Sequence, residues 1–137
     1  IAGIVTLILI ALWPTYTFPL VWLAIFFVIE PINQMVGQPS LWNHVRENRW
    51  GPVYNVWLAT TFTGFFWEMW NIYSLPKWEY DVPFVHVLQV FEMPILGFFG
   101  YMPFGMEVVA FTALGLWIIG HRPQRYLRIS GTTESSN

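Results

Sequence analysis

The sequence predicts an all-α, polytopic transmembrane protein with three to four spans in a single domain, residues 1–129. Of its 137 residues, 55% are hydrophobic and only 10% are charged, whereas a soluble domain has about 25% charged residues. The mean hydropathy is +0.49. Each span needs roughly 20 apolar residues, so the length suits three or four helices joined by short loops. The formal charge of −2 gives no reason to expect a nucleic-acid partner.

The first two predicted spans lie on either side of a turn. Residues 1–29 carry no charge, but Trp13 and Pro14 interrupt the apolar run with residue types common in turns and at membrane interfaces. We therefore predict spans over residues 1–12 and 18–34. Twelve helical residues rise only about 18 Å, against a hydrocarbon core of about 30 Å. We expect the first span to be truncated at its start.

The third and fourth predicted spans, residues 53–75 and 103–120, are separated by an irregular stretch over 84–102. Pro94 and Pro103 each remove a backbone donor, and Gly97 and Gly100 allow bends. Irregular backbone at membrane depth must be covered by protein or water. The pattern predicts a broken or re-entrant segment near the outer leaflet. The Ser/Thr-rich tail, 130–137, has too little apolar surface to fold and is predicted to be disordered.

Cationic residues indicate the orientation. Arg46 and Arg49 lie in the loop between the second and third spans, and Arg122, Arg125 and Arg128 follow the last span. Cytoplasmic loops are enriched in Lys and Arg. We predict that this loop and the C-terminus are both cytoplasmic.

Glu68 is the residue hardest to reconcile with lipid, because a carboxylate inside a span is costly and faces the bundle interior. Asn71, at i+3, shares its helix face. Two interpretations stay open. Glu68, Asn71, Glu92 and Glu107 form a structural polar hub that satisfies backbone groups freed by the prolines, with Glu107 near the start of the last helix, where an acid complements the helix dipole. Alternatively, Glu68, Glu92 and Glu107 are catalytic acid/base groups.

Aromatic residues make up 20% of the chain and have two explanations. Many fall near span ends, which is typical of aromatic belts at headgroup depth. They also suit a surface for a carotenoid, a quinone or a chlorophyll-type pigment, with Trp67, Phe98 and Phe99 as candidate contacts and His86 as a candidate axial ligand. The sequence requires no cofactor. It contains no cysteine and no histidine pair suited to one haem, so we predict no metal site.

Three motifs lie within about residues 60–110. They are Trp67-Glu68-x-x-Asn71, Lys77-Trp78-x-Tyr80 and Phe91-Glu92-Met93-Pro94-x-x-Gly97-x-x-Gly100-Tyr101-x-Pro103-Phe104-x-x-Glu107. Together they resemble a family of bacterial polytopic inner-membrane proteins that are mostly uncharacterised. The resemblance carries no activity, cofactor or catalytic residue. It implies a bacterial inner-membrane location.

Two functions stay open on this basis. The favoured one is an accessory, structural subunit of a larger bacterial membrane complex, photosynthetic or respiratory, which packs against partner helices, lipid or pigment. The small size and the lack of a redox-ligand set favour it. The alternative is a small membrane enzyme that uses outer-leaflet carboxylates for acid/base chemistry on an isoprenoid or another apolar substrate.

Overall fold

The computed structural model describes residues 1–80 and 88–121 and confirms a mostly helical protein. The elements in chain order are α1 (Ala2–Leu12), α2 (Pro14–Thr17), a 3-10 turn (Phe18–Leu20), α3 (Val21–Met35), α4 (Leu41–Arg46), α5 (Gly51–Asn71), β1 (Gln89–Val90), β2 (Met93–Pro94), a second 3-10 turn (Ile95–Gly100) and α6 (Tyr101–Ile118). Within the described residues, two helical stretches, Pro14–Met35 and Ile95–Ile118, are long and apolar enough to cross a membrane.

The long helices pack as a row in the order α1, α3, α6, α5. Close approaches at glycine fix the direction of the last pair. Gly64 of α5 lies against Tyr101, and Gly105 of α6 lies against Thr60, so α5 and α6 run antiparallel. The 36–50 segment and the C-terminal end of α6 therefore lie at one end of the molecule. Residues 72–80 and 88–100 lie at the other end.

The buried apolar core is small. It brings together Phe26 and Ile29 of α3, Leu41 of α4, Val53 of α5 and Ala110 of α6. Large apolar side chains are exposed on every long helix; examples are Ile8 on α1, Ile32 on α3, Leu58 and Phe62 on α5, and Phe111 and Ile118 on α6. Helices that are apolar all round are found in large cores or in membranes.

Helix ends differ from the predicted spans by a few residues. Helix α5 ends at Asn71 rather than at 75, because the Asn71 side chain bonds the chain as it folds back. Helix α6 begins at Tyr101, which places Pro103 in the first turn, where its missing N–H has no helical partner to lose. Glu107 consequently lies in the second turn. The expectation that it complements the free N–H groups at the helix start is wrong.

The predicted irregular stretch is described from residue 88 onward. A two-residue antiparallel hairpin pairs Gln89 with Pro94 and Val90 with Met93, and a 3-10 turn then leads into α6. The sequence did not predict this hairpin. Residues 84–87 with His86, and the tail 130–137, lie outside the described residues.

Candidate functional site

Glu68 is the centre of a polar network between three parts of the chain. Its side chain lies in the last turn of α5 and is 0% exposed. The Tyr80 hydroxyl donates a hydrogen bond to Glu68 Oε1 at 2.6 Å, and the Tyr101 hydroxyl donates to the same oxygen at 2.7 Å. Tyr80 belongs to the segment after α5, and Tyr101 is the first residue of α6. One carboxyl oxygen thus joins two helices and the segment between them.

A glycine on α5 makes room for the Tyr101 ring. A Cβ built on Gly64 would lie 2.5 Å from that ring, and a Cβ on Gly105 would lie 2.4 Å from the Thr60 methyl carbon. Both distances are too short for real contacts. Small residues let two helix backbones approach closely. Since Gly64 is one turn before Glu68, the ring lies over α5 and its hydroxyl reaches the carboxyl group.

Asn71 holds the chain that leaves α5. Its Oδ1 accepts a hydrogen bond from the Trp78 backbone N–H at 2.7 Å, and its Nδ2 donates to the Trp78 carbonyl at 2.8 Å. The Ser74 hydroxyl donates to the Asn71 carbonyl at 2.8 Å. The side-chain amide therefore satisfies both backbone groups of one residue in the returning segment. We call the two hydrogen bonds between the Asn71 side chain and the Trp78 backbone the Asn71 clasp. The clasp positions Tyr80, two residues after Trp78, for its bond to Glu68.

Glu92 lies apart from the Glu68 network. Its carboxylate accepts a hydrogen bond from the Lys77 ammonium at 2.7 Å, near the surface. That hydrogen bond raises the pKa of Lys77. The sequence predicted that Glu92 belongs to the structural polar hub and satisfies backbone groups freed by the prolines. In the structure it instead connects the hairpin to the segment after α5.

Glu107 also lies outside the Glu68 network. It is 8% exposed, and its carboxyl group has no hydrogen-bond partner within residues 1–80 and 88–121. The residue lines an open cleft of about 240 Å³ on one face of α6. The other lining residues are Phe104, Val108, Phe111 and Thr112. A nearly buried carboxyl group therefore borders an apolar cleft without a partner in this part of the chain.

A second buried polar cluster lies at the opposite end of the molecule and was not predicted from the sequence. Glu30 Oε1 accepts hydrogen bonds from the Ser40 hydroxyl at 2.8 Å and from the Trp42 backbone N–H at 2.7 Å. Asn33 Nδ2 donates to the Ala110 carbonyl at 2.8 Å. The cluster ties α3 to the start of α4 and to the middle of α6.

A signal for this second cluster was present in the sequence. Glu30 and Asn33 are three residues apart in a largely apolar helix, so they share one face and are expected to point inward. Ser40 also reads as the N-cap of α4, and its hydroxyl accepts a hydrogen bond from the Asn43 backbone N–H.

Burial is the main cause of the pKa shifts of two side chains outside the long helices, Tyr80 and His44. Burial first, and then the hydrogen bond to Glu68, raise the pKa of Tyr80. Tyr80 therefore stays a neutral donor throughout the physiological pH range. Burial, together with the nearby Arg49 guanidinium, lowers the pKa of the His44 side chain at the other end of the molecule.

One of the candidate pigment contacts, Phe98, lies beside the Glu68 network. Trp67 and Phe99 are exposed, while Phe98 packs against Tyr101 with ring centroids 6.0 Å apart. A separate aromatic cluster extends along α5 to the hairpin and consists of Phe62, Phe65, Phe66, Trp70 and Phe91. Across the described ranges, no three His, Asp or Glu side chains are grouped to hold a metal ion.

Comparisons with family models, with curated proteins and with solved structures found no match to this chain.

Proposed function

We propose that this protein is an integral subunit of a larger assembly in the bacterial inner membrane, with a structural rather than a catalytic role for Glu68. The observation that carries the proposal is the exposed apolar surface on every long helix around a small core. Soluble monomers rarely expose large apolar patches, and such patches mark contact with membrane or protein.

Helix lengths support the membrane location. Pro14–Met35 and Ile95–Ile118 have 22 and 24 residues and are apolar enough to cross a membrane, whereas α5 has 21 residues and is less apolar. At about 1.5 Å per residue each rises more than 30 Å, which is the thickness of the hydrocarbon core. Exposed Trp13, Trp50, Trp70 and Tyr73 lie near the ends of these helices, where amphipathic rings are enriched.

The Glu68 network supports a structural role for this carboxyl group. Glu68 is enclosed, and Oε1 is already occupied by two tyrosine hydroxyls. A general acid or base must reach the proton that it transfers. Glu68 Oε1 connects two helices and the segment that folds back from α5. This arrangement suits a structural carboxyl group better than one that transfers protons in catalysis.

Extraction and purification test this proposal. The protein should stay in the pellet when membranes are washed at alkaline pH, and it should migrate with companion subunits after solubilisation in a mild detergent. Glu68→Gln keeps an acceptor oxygen for both tyrosines and should leave the assembly intact. Release by the alkaline wash, or migration as a single isolated chain, would contradict the proposal.

A second candidate, a small membrane enzyme acting on an isoprenoid or another apolar substrate, is favoured by one observation. Glu107 presents a carboxyl group without a described partner beside an apolar cleft. If this group transfers a proton, Glu107→Gln should change the lipid extract of the cells while the protein level stays constant. An extract identical to that of the unchanged protein counts against the enzyme.

A further inference from the structure

Helix α4, which connects α3 to α5, has one buried face and one exposed face. Leu41 and His44 are buried, whereas Trp42, Asn43 and Arg46 are exposed. Trp42 and Arg46 are four residues apart, so their side chains are neighbours on one side of the helix. The exposed face of α4 therefore combines an aromatic ring with a cation.

Two hydrogen bonds to α3 fix the orientation of α4. Glu30 Oε1 accepts them from the Ser40 hydroxyl at 2.8 Å and from the Trp42 backbone N–H at 2.7 Å. Ser40 also caps the start of the helix. The exposed face is thus held in one direction by contacts within the chain, and it needs no partner to be formed.

Arg46 gives this face a positive charge that no acid in residues 1–80 and 88–121 pairs with. Glu47, its neighbour in the sequence, is paired with Arg49. A guanidinium group presents its N–H donors in a planar fork that matches two oxygens of a phosphate group. The charge complementary to this face is therefore an anion, and phosphate suits its geometry.

The position of α4 in the chain places it at the edge of the proposed membrane. Helix α3 ends at Met35 and α5 begins at Gly51, with α4 between them. If α3 and α5 cross the hydrocarbon core, α4 lies at the depth of the lipid headgroups. Exposed Trp42 and Trp50 agree with that depth, because tryptophan is enriched at membrane interfaces.

We propose that the exposed face of α4 binds an anionic phospholipid of the cytoplasmic leaflet, with the Arg46 guanidinium on the headgroup phosphate and the Trp42 ring beside the upper acyl chain. The proposal rests on the membrane location proposed above. A phospholipid carries an anion and an apolar chain next to each other, which matches a cation next to an aromatic ring. Anionic lipids of the cytoplasmic leaflet also attract basic residues close to the membrane.

Native mass spectrometry of the protein in a neutral detergent tests the lipid site. Phosphatidylglycerol is titrated in, and phosphatidylcholine with the same acyl chains is the comparison lipid. Phosphatidylglycerol should bind more tightly. Arg46→Gln should raise its dissociation constant by about fivefold, the equivalent of about 1 kcal/mol for one basic residue at an anionic surface. Trp42→Ala should weaken the binding of both lipids, because the ring contacts the part that they share.

Lys77→Gln is the matched control for charge. It also removes one cation, but Lys77 lies at the other end of α5 and is paired with Glu92. Its dissociation constant for phosphatidylglycerol should equal that of the unchanged protein. Equal constants for Arg46→Gln and Lys77→Gln overturn the site, and an unchanged constant in Trp42→Ala overturns the role of the ring.

Two further results assign the face to a different ligand. Displacement of the lipid by inorganic phosphate, but not by chloride at the same ionic strength, would show a site for the free anion and overturn the lipid. A companion protein that is lost from Arg46→Gln and retained by Lys77→Gln would assign the face to a protein contact and overturn the lipid as well.

Failure of this inference is distinguishable from failure of the proposed function. A protein that resists the alkaline wash but binds both lipids equally contradicts the headgroup site alone. A protein that the wash releases contradicts the membrane location, and the headgroup site with it.

Discussion

At the scale of single residues, the Glu68 network depends on two hydroxyl groups that share one acceptor oxygen. Tyr80→Phe and Tyr101→Phe each delete one donor and leave the ring in place. We expect each to lower the free energy of unfolding by about 0.5–1.5 kcal/mol, the usual net contribution of one hydrogen bond, because the other hydroxyl still bonds the oxygen. Thermal unfolding in detergent measures the loss. Tyr73→Phe is the control, since Tyr73 lies at the same end of α5 and is 87% exposed.

The two substitutions should not be additive, because both hydroxyls bond the same oxygen. The double variant should therefore differ from the sum of the single ones by more than the measurement error. Single variants as stable as Tyr73→Phe would show that the network contributes nothing to stability.

The lowered pKa of His44 predicts how the stability of the protein depends on pH. Its pKa is lowered in the folded protein, chiefly by burial, while the unfolded chain binds a proton near the ordinary value of about 6.5. Below that pH the unfolded state binds more protons, so stability should fall as the pH drops from 7 toward 5 and should be level above it. Unfolding temperatures across this range measure the slope. The slope should shrink in His44→Asn and persist in Asn43→Ala, since Asn43 is exposed and carries no titratable group.

Some residues of the Glu68 network could be predicted from the sequence and others could not. An isolated acid in an apolar helix signals burial on its own, which is why Glu68 was singled out. Its partners were not, because Tyr80 and Tyr101 are 12 and 33 residues away and belong to a residue type that also occurs at membrane interfaces. Which tyrosine reaches the carboxyl group is decided by how α5 and α6 pack.

At the scale of elements, glycine sets the distance between α5 and α6. Gly64→Ala places a Cβ 2.5 Å from the Tyr101 ring, which must then move away from Glu68. We expect a loss of about 1–3 kcal/mol in unfolding free energy, as for other overpacked sites. Gly100→Ala is the matched control, since a Cβ there meets nothing within 4 Å. If the two variants unfold alike, the close approach at Gly64 has no energetic importance.

The segment between α5 and α6 shows which elements a sequence can predict. Long apolar helices follow from composition and length, and a helix overlies each predicted span within a few residues. The hairpin was not predicted from the sequence. Its strands have two residues each and are too short to show an alternation of apolar and polar side chains. The end of α5 at Asn71 depends on a side chain that bonds Trp78, seven residues later. Propensity alone does not specify such a contact.

That clasp predicts a local effect. Asn71→Ala removes both bonds to Trp78 and frees the 72–80 segment while leaving the helices packed. Amide hydrogen exchange in this segment should accelerate by about tenfold or more, since each lost hydrogen bond is worth about 1 kcal/mol. Asn55→Ala, on the exposed side of α5, should leave exchange there unchanged. Equal exchange in the two variants would rule out the clasp.

At the scale of the whole molecule, the row of helices makes a prediction about topology. Helix α5 runs from Gly51 at one end to Asn71 at the other, and α6 returns antiparallel to it. If α5 and α6 both cross the membrane, the α4 segment and the end of α6 lie on one side. Residues 72–80 lie on the opposite side. The arginines near α4 and after α6 predict that the shared side is the cytoplasm.

Single-cysteine variants test this topology directly, because the sequence contains no cysteine. A membrane-impermeant maleimide added to cells with a permeabilised outer membrane should label Glu79→Cys, whose native side chain is exposed. It should label Asn43→Cys and His121→Cys only after the inner membrane is opened. Labelling of Asn43→Cys and Glu79→Cys from one side would show that α5 does not cross the membrane. Helix α5 is about 31 Å long, which matches the hydrocarbon thickness, so we expect its two ends to lie on opposite sides.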